Sequence, residues 1–264
     1  MRTLKTYQID AFTSKIFGGN SAAVVPLDAW LPPSVMQAIA DENNLAETAF
    51  FVPEPKGGYG LRWFTPTQEA PLCGHATLAS AFVIFSEIAP NSETVEFYTQ
   101  SGTLTVTRDG DLLQMDFPRY ALAPVEAPPE LLNGLRLPPR EVYFVSESPN
   151  YYAVYDTEAE VRALAPDLAA LARCQSLGIA TTAPGTDCDF VSRYFAPNLG
   201  IPEDPVTGST HCALAPYWAK RLGKTELFAR QVSRRGGEIF CVVTDSRVLI
   251  SGQAVTYLRG EIRI

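Results

Sequence analysis

The chain has 264 residues, of which 46% are hydrophobic and 19% charged, and its formal net charge is −8. This composition is typical of a globular protein and excludes a largely disordered chain. The densest basic stretch is "RQVSRR", residues 230–235, so nucleic acid is not an expected partner. The longest mostly apolar run, "LASAFVIF", is too short to span a bilayer. Since the first residues also lack an apolar signal-peptide core, we expect a soluble cytoplasmic protein with no membrane partner.

The five cysteines are widely spaced, form no C-x-x-C pair and are odd in number. A disulfide framework is therefore not expected. With only two histidines in the chain, a zinc or other histidine-based metal site is not expected either.

In chain order, "GGNSAAVV" at Gly18–Val25 predicts a glycine turn followed by an apolar strand. Asn20 in this turn either binds substrate or shapes the turn, and the residues do not separate these roles. A helical pattern over 32–44 is followed by "NNLAETAFF", Asn43–Phe51, which carries Glu47 in a mostly apolar stretch. Partial desolvation there would raise the pKa of Glu47 and make it a usable acid or base. The alternative is an exposed glutamate at a helix end or strand start, which is favoured because most glutamates in proteins are solvated.

Two stretches of the chain match each other. "RWFTPTQEAPLCGHATLASAF" begins at Arg62, and "RYFAPNLGIPEDPVTGSTHCALAPYW" begins at Arg193, 131 residues later. Seven residues after the shared proline come Cys73 in the first stretch and Asp204 in the second. Each then passes through glycine into an apolar segment that we interpret as a helix. A helical pattern (32–44 and 158–174) precedes each stretch, and a strand pair (102–117 and 237–252) follows it, so the sequence indicates an internal repeat.

The repeat predicts an α+β protein of two pseudo-symmetric domains, each a mainly antiparallel sheet around a central helix. We place the N-terminal domain at residues 1–118 and the C-terminal domain at 119–264. The linker is expected near Pro118–Pro139, which is rich in proline and weak in periodicity. Two such domains would leave a cleft suited to a small molecule, with the two glycine-containing helix starts facing each other across it.

Each helix start carries backbone N–H groups without partners inside the helix, which together with the helix dipole suit an anion. Gly74-His75 and Gly208-Ser209-Thr210 are the expected donors for a substrate carboxylate. Ordinary capping by Ser209, Thr210 or Thr77 is the alternative. The dipole also disfavours a cationic His75, so we expect a neutral imidazole that contacts substrate or bonds locally. His211 and the cysteines other than Cys73 are expected to pack in the interior.

Four blocks, "FGGNSAAVV", "NLAETAFF", "FTPTQEAPLCGHATLASA" and "EDPVTGSTHCALAPYW", resemble in order the signature blocks of the PhzF-like, phenazine biosynthesis-type isomerases of the diaminopimelate epimerase-like fold. The resemblance spans nearly the whole chain. It implies a homodimer that needs no metal or organic cofactor, and a C-terminal strand, about 255–264, that returns to the first domain.

The same resemblance implies roles for individual residues. Glu47 would be the general acid/base that moves a proton between carbons of a small carboxylate metabolite, as in isomerisation of dihydro-3-hydroxyanthranilate. Asp204 and His75 would hold the substrate's amino and hydroxyl groups. The substrate-binding set would comprise Asn20, Gly74, His75, Gly208, Ser209 and Thr210. A carboxylic group that serves as both base and acid benefits from a pKa near neutrality.

Two other functions stay open at this point. Diaminopimelate epimerases and proline racemases, which share the fold, use one cysteine at each helix start. This chain keeps only Cys73, so a racemase or epimerase would need a mixed pair of acid/base groups. A non-catalytic protein that binds a carboxylate metabolite in the same cleft is the third possibility.

Overall fold

The structure, a computed structural model, describes residues 1–264 and divides into two compact units. The first unit comprises Met1–Asp116 together with Ser251–Ile264, and the second comprises Phe117–Ile250. None of the helices combines the length and the apolar character that crossing a membrane requires.

Strands form most of both units. The strands are β1 Thr3–Ala11, β2 Asn20–Pro26, β3 Glu47–Pro53, β4 Tyr59–Phe64, β5 Glu69–Ala70, β6 Thr94–Thr99, β7 Gly102–Asp109, β8 Leu112–Pro118, β9 Ala123–Pro124, β10 Glu141–Val145, β11 Asn150–Val154, β12 Gly178–Pro184, β13 Phe190–Ala196, β14 Ile201–Asp204, β15 Glu226–Gln231, β16 Gly237–Val243, β17 Arg247–Gly252 and β18 Ala254–Arg263. The helices are α1 Pro33–Asn43, α2 Gly74–Val83, α3 Pro129–Leu135, α4 Glu158–Ala163, α5 Leu168–Leu171 and α6 His211–Leu222. A π-helical turn, Ile84–Ile88, follows α2, and 3-10 turns occupy Pro197–Leu199 and Gly208–Thr210.

In the first unit, β1 lies between β18 and β2 and is antiparallel to both. The C-terminal strand β18 therefore pairs with the N-terminal strand, from Thr3↔Arg263 to Ala11↔Ala254. Next, β2 and β3 run parallel, β3 and β4 antiparallel, and β4 and β6 parallel, while β7 is antiparallel to both β6 and β8. Most neighbouring strands are thus antiparallel, and the parallel pairs are those joined through a helix, as crossover connections require.

The helix α2 is the central helix of the first unit. Its sequence, "GHATLASAFV", has no polar face, and all of its residues except Gly74 and Phe82 are buried. It packs against β1, β2 and β3. A helix that is apolar on all sides must be covered on all sides, so the sheet of this unit encloses it.

The second unit repeats this arrangement with β9 to β17 and with α6 as its central helix. Here β11 and β12 are the parallel pair joined through helices, and β13 and β15 the second parallel pair. Pro216 lies inside α6 and has no N–H to offer the carbonyl four residues earlier, that of Cys212. The N–H of Tyr120 donates to that carbonyl instead, at 2.9 Å, which lets the helix continue through the proline.

The strand registers show how far the repeat extends. In the first unit Thr48 of β3 pairs with Phe64 of β4. In the second unit Ile179 of β12 pairs with Phe195 of β13, and each of these residues lies 131 positions beyond its counterpart. The registers of the two strand pairs are therefore identical, and the repeat predicted from the sequence exists at the level of individual residues.

The arginine that opens each repeat has a structural role in both. Arg62 forms a two-point salt bridge with Glu69, with both N–O distances at 2.7 Å. Arg193 forms the same kind of bridge with Glu203, at 2.7 and 3.0 Å. Both bridges tie a long strand to the short strand that follows it, and this short strand leads to the central helix.

Two features of the second unit differ from the sequence prediction. The helical pattern at 158–174 forms two short helices, α4 and α5, because Pro166 disfavours helical geometry at the residue before it. The stretch expected as an irregular linker, Pro118–Pro139, contains the helix α3, which begins with proline at its first position and buries Leu131 and Leu135. This helix is only seven residues long, too short for a clear periodic pattern.

Candidate active site

Two strand starts position the first polar side chains of the candidate site. Asn20 is the first residue of β2 and Glu47 is the first residue of β3. Since these strands are parallel and Glu47 pairs with Ala22, both side chains belong to the same end of the sheet. Gly19 makes the tight entry to β2 possible: its φ is +60°, and a Cβ there would lie 2.0 Å from the carbonyl oxygen of Ala11. Only glycine fits this position.

The start of α2 supplies the other groups. Cys73 is extended, with φ −145° and ψ 110°, and the helix begins at Gly74. His75, the second helical residue, is thereby brought to the same place as the two strand starts. Its Nε2 lies 3.1 Å from Oε2 of Glu47, and its Nδ1 lies 3.2 Å from Nδ2 of Asn20 and 3.5 Å from Sγ of Cys73. Four residues spread over 55 positions of the sequence thus form one cluster.

This cluster is almost closed to solvent. Asn20, Cys73 and His75 are buried, and the side chain of Glu47 is 12% exposed. Isolated charges are costly at such a site unless they are paired. The electrostatics of the cluster therefore depend on how Glu47 and His75 interact.

The sequence prediction that the pKa of Glu47 is raised is wrong. Burial does act to raise it, but the charge of His75 and hydrogen bonds from His75 and Cys73 act in the opposite direction, and together they lower the pKa of Glu47 below its ordinary value. Glu47 is therefore a carboxylate at neutral pH, ready to act as a base.

The expectation of a neutral His75 also fails. Burial lowers the pKa of His75, but interactions with Cys73 and with the Glu47 carboxylate raise it well above its ordinary value. A unit charge a few ångströms away contributes about 4 kcal/mol at an effective dielectric constant of about 20. The helix terminus contributes only about 0.3–1 kcal/mol. The direct contact with Glu47 therefore outweighs the helix dipole.

Cys73 is a buried thiol in this cluster. Burial and the neighbouring carboxylate of Glu47 raise the pKa of Cys73 above its ordinary value, against the opposing influence of His75. The sulfur is consequently protonated at neutral pH and donates a hydrogen bond to Glu47. This differs from reactive cysteines, which have lowered pKa values.

Neither glycine-containing helix start is capped by a side chain. The alternative of capping by threonine does not occur: the hydroxyl of Thr77 donates to the carbonyl of Cys73 at 2.6 Å, and that of Thr210 donates to the carbonyl of Thr207 at 2.8 Å. Ser209 is exposed. The first N–H groups at Gly74 and at Gly208 are thus not consumed by capping side chains, as anion binding at a helix start requires.

Asp204 does not occupy the position of Cys73, in contrast to the pairing inferred from the sequence. It is the last residue of β14, and Thr207 is the residue directly before the helical segment that begins at Gly208. Thr207 is extended, with φ −116° and ψ 91°, as Cys73 is before Gly74. The second stretch has three extra residues between its arginine and the paired glutamate, since Arg62 bridges Glu69 whereas Arg193 bridges Glu203. Thr207 therefore corresponds to Cys73, and Asp204 corresponds to Ala70. Asp204 contacts Thr207, whose hydroxyl donates to its Oδ2.

Sequence reasoning missed Gln231, which organises this second group of residues. Its Oε1 accepts from the N–H of Thr207 at 2.9 Å, and its Nε2 donates to the carbonyl of Asp204 at 2.7 Å and to the hydroxyl of Thr207 at 3.2 Å. Gln231 is buried at the end of β15. Nothing local in the sequence marks it, although Thr207 could have been noticed because it precedes Gly208 as Cys73 precedes Gly74.

His211 is interior, as expected. It is fully buried beside the ring of Phe190, and its Nδ1 lies 3.0 Å from the carbonyl oxygen of Thr207. Burial lowers its pKa to about 4. The two histidines of the chain therefore have opposite electrostatic states at neutral pH.

Comparison with solved structures defines the class of protein. A hydroxyproline epimerase of Agrobacterium vitis superposes with a TM-score of 0.59 over 99% of this chain and 92% of the epimerase, at 13% sequence identity. Likeness at this identity shows the fold alone. The protein is thus an α+β protein with the epimerase-like fold that the sequence predicted.

The family follows from closer matches. The model of the PhzC-PhzF family, described as phenazine biosynthesis-like protein, matches residues 9–260. An uncharacterized isomerase of Pseudomonas aeruginosa is 49% identical over 261 residues, covering 99% of both chains. The crystal structure of a PhzF-family phenazine biosynthesis protein from Enterococcus faecalis has a TM-score of 0.96 at 45% identity and covers 100% of both chains. The chain belongs to the phenazine biosynthesis-like (PhzF) family and is an isomerase.

Proposed function

We propose that this isomerase moves a proton between two carbons of a small carboxylate substrate without a cofactor, with Glu47 as the general acid/base. The dihydro-3-hydroxyanthranilate type of reaction is the model for it. The observation that carries the proposal is the buried pair in which His75 Nε2 lies 3.1 Å from Glu47 Oε2. Such a pair keeps one carboxylate ionised in a site that largely excludes water.

The proposed step balances without a second reactant. Glu47 removes a proton from a substrate carbon: the C–H bond breaks, an O–H bond forms on Glu47, and the electron pair enters the conjugated system of the substrate. The neutral acid then returns the proton to another carbon of that system. The lowered pKa of Glu47 keeps it ionised before the first half of this cycle and makes its neutral form a stronger acid in the second half. The contact with His75 and the hydrogen bond from Cys73 hold the carboxyl group in place for both halves.

The remaining residues are proposed to bind substrate. Backbone N–H groups at Gly74 and His75, and at Gly208, Ser209 and Thr210, are the donors for its carboxylate, since no side chain caps either helix start. Two groups of residues are the proposed contacts for amino and hydroxyl groups of the substrate. One is Asp204, which Thr207 and Gln231 support. The other is Asn20 together with His75. The assignments in the second unit rest on the resemblance together with this hydrogen-bond network.

The test is hydrogen exchange at carbon. The protein is incubated in D₂O with dihydro-3-hydroxyanthranilate and with a panel of small unsaturated carboxylates, and deuterium on carbon is followed by NMR and mass spectrometry. Exchange should be lost in Glu47→Gln and largely kept in Cys73→Ala. An enzyme that keeps exchange as Glu47→Gln and loses it as Cys73→Ala would contradict the assignment.

A second candidate function is racemisation or epimerisation with Cys73 as one of two bases. The observation in its favour is that the Cys73 sulfur lies within the cluster, 3.5 Å from His75 Nδ1. Chiral chromatography of amino acids and hydroxy acids after incubation tests it. Inversion that disappears on alkylation of Cys73 would support it, and an active enzyme with alkylated Cys73 would exclude it.

Two further expectations remain predictions. The homodimer is tested by light scattering of the purified protein, and a mass near 28.8 kDa would exclude it. If the protein binds a carboxylate metabolite but exchanges carbon-bound hydrogen in none of the tested compounds, the result would favour a non-catalytic binding protein.

A further inference from the structure

The C-terminal strand β18, Ala254–Arg263, presents one of its edges to solvent. Its other edge pairs with β1, from Thr3↔Arg263 to Ala11↔Ala254. Five consecutive residues, 257–261, are exposed, although alternate residues of a strand point to opposite faces. A long edge strand that is exposed in this way is a template for pairing with another chain.

The backbone of β18 directs hydrogen-bonding groups outward at alternate positions. Arg2 and Ile264 exchange both of their backbone hydrogen bonds, at 2.8 and 2.9 Å. In an antiparallel pair, hydrogen-bonded and non-hydrogen-bonded residue pairs alternate, and the register with β1 is unbroken over residues 258–263. The N–H and C=O groups of Arg259 and Glu261 therefore point away from β1, toward the exposed edge.

The side chains of this stretch are complementary to a second copy of themselves. Arg259 and Glu261 lie on either side of Gly260, and Leu258 and Ile262 come next. If two such strands run antiparallel with Gly260 opposite Gly260, Arg259 lies opposite the partner's Glu261, and Leu258 lies opposite the partner's Ile262. Opposite charges directly across a strand pair are favourable, and like charges are not. Moving the centre by one residue places Arg259 or Glu261 opposite its own copy, so the charges favour the Gly260 register over either neighbouring one.

Exposed apolar side chains lie beside this edge. Tyr257 is 47% exposed and Leu258 is 43% exposed. The ring of Phe17, which is 65% exposed, lies 5.6 Å from the ring of Tyr257. Phe17 has a φ of +70°, and its N–H donates to the buried carboxylate of Asp10 at 2.9 Å, which fixes the loop that carries the ring. Apolar groups exposed together mark interaction surfaces, and aromatic residues are enriched in them.

We propose that two copies of this chain associate edge to edge through β18, antiparallel and with the twofold axis at Gly260. Arg259 and the partner's Glu261 would then exchange two backbone hydrogen bonds, and the symmetry of the contact repeats this pair. Gly260 occupies a non-hydrogen-bonded position, where the Cα atoms of the two strands are about 4.5 Å apart. The sheets of the two first units would form one continuous sheet.

This interface goes beyond the homodimer that the resemblance implies, because the strand, its register and the residues that determine the register are specified. It does not depend on the proposed reaction, since no residue of β18 belongs to the candidate active site. Arg259 also bonds Glu87 of its own chain, at 2.5 Å, which orients its side chain on the strand. The interchain ion pairs lie at an exposed edge, so high salt should weaken the dimer.

Charge reversal at two positions tests both the surface and the register. Sedimentation equilibrium of the wild-type protein should show a dimer of the 28.8 kDa chain. Arg259→Glu places two glutamates opposite each other at both contacts, and Glu261→Arg places two arginines there. Each variant alone should associate about 10-fold or more weakly. Glu226→Arg, the same charge change at an exposed strand residue of the second unit, should leave association unchanged.

A mixture of the two variants is the decisive measurement. In the mixed dimer, the introduced glutamate faces the introduced arginine at one contact, and Glu261 faces Arg259 at the other. Equimolar mixing should therefore restore association to the wild-type level. Thermal unfolding followed by circular dichroism establishes that each variant is folded. A monomeric wild-type protein, variants that associate as the wild type does, or a mixture no more dimeric than its components would each overturn the proposal.

Discussion

His75 Nε2 lies 3.1 Å from Glu47 Oε2, and the pair is nearly closed to solvent. Interactions with Cys73 and with Glu47 raise the pKa of His75, and His75 in turn lowers the pKa of Glu47. Both members of the pair are therefore favoured in their charged forms. His211, the second histidine of the chain, has no carboxylate beside it, and burial lowers its pKa to about 4.

The two histidines therefore provide an internal comparison for NMR titration. Between pH 5 and 9, the His211 ring should not titrate, because it is already neutral. His75 should lose its proton only well above pH 6.5, because deprotonation leaves the Glu47 charge unpaired. In Glu47→Gln the burial cost and the interaction with Cys73 remain while the carboxylate charge is lost, so the pKa of His75 should fall. A His75 pKa that is the same in both proteins would contradict the charge-pair interpretation.

Thiol labelling should distinguish Cys73 from the other cysteines. Of the five free cysteines, only Cys188 is partly exposed. We expect iodoacetamide at neutral pH to modify Cys188 first and Cys73 slowly, since burial and Glu47 raise the pKa of the Cys73 thiol. Peptide mapping by mass spectrometry provides the measurement. Rapid labelling of Cys73 would favour the thiol-based racemase.

Gln231→Leu should destabilise the second unit. The change removes the bonds that Gln231 makes to the buried N–H of Thr207 and to the carbonyl of Asp204, at a cost of about 2–4 kcal/mol in the free energy of unfolding. Gln100→Leu is the matched control: Gln100 is exposed and has one bond, to Glu69, so its effect should stay within about 0.5 kcal/mol. Urea unfolding of both variants decides the matter, and equal effects would show that the Gln231 network contributes no stability.

Gly19→Ala tests the entry to β2. The new Cβ would lie 2.0 Å from the Ala11 carbonyl oxygen at a φ of +60°, so we expect a loss of about 3 kcal/mol or more from strain and overlap together. Gly57→Ala separates the two causes, since Gly57 also has positive φ but nothing within 4 Å of its Cβ position. This variant should lose only about 1 kcal/mol. Calorimetric melting curves that show the same loss for both would refute the steric argument.

The two repeat arginines should differ in importance. Arg193 bonds not only Glu203 but also the carbonyls of Val161 and Leu164, at 3.1 and 2.8 Å. Arg193→Met should therefore cost about 3–5 kcal/mol. Arg62→Met, which breaks the bridge to Glu69 and the cation–π contacts with Trp30 and Phe64, should cost about 1–3 kcal/mol. Denaturant unfolding of the pair measures the difference, and the opposite order would contradict it.

Much of the architecture can be predicted from the sequence because it is periodic. Residues 131 positions apart repeat the same pattern, and β3–β4 and β12–β13 accordingly have the same register. The break between α4 and α5 and the short helix α3 could not be predicted in the same way. A single proline, or a helix of only seven residues, changes the hydrophobic pattern too little to be recognised in an apolar stretch.

The candidate site was predictable only as a set of separate motifs. Asn20, Glu47, Cys73 and His75 each stood out by local context, glycine turns and an apolar strand start. Their distances and pKa directions were not predictable, since these depend on the parallel pairing of β2 with β3 and on α2 beginning beside that pair. The predicted rise in the pKa of Glu47 was wrong for this reason: the sequence shows burial but not the neighbouring imidazole.

The sequence by itself determined the repeat, the family and the residues of the first helix start, because spacing and side-chain chemistry are properties of the chain. Tertiary structure alone decided that Gln231 bonds both Thr207 and Asp204. Hydrogen bonds and charge pairs fall off within a few ångströms. The packing of strands and helices therefore determines which groups form these hydrogen bonds and charge pairs. A linear sequence does not contain the distances between those groups.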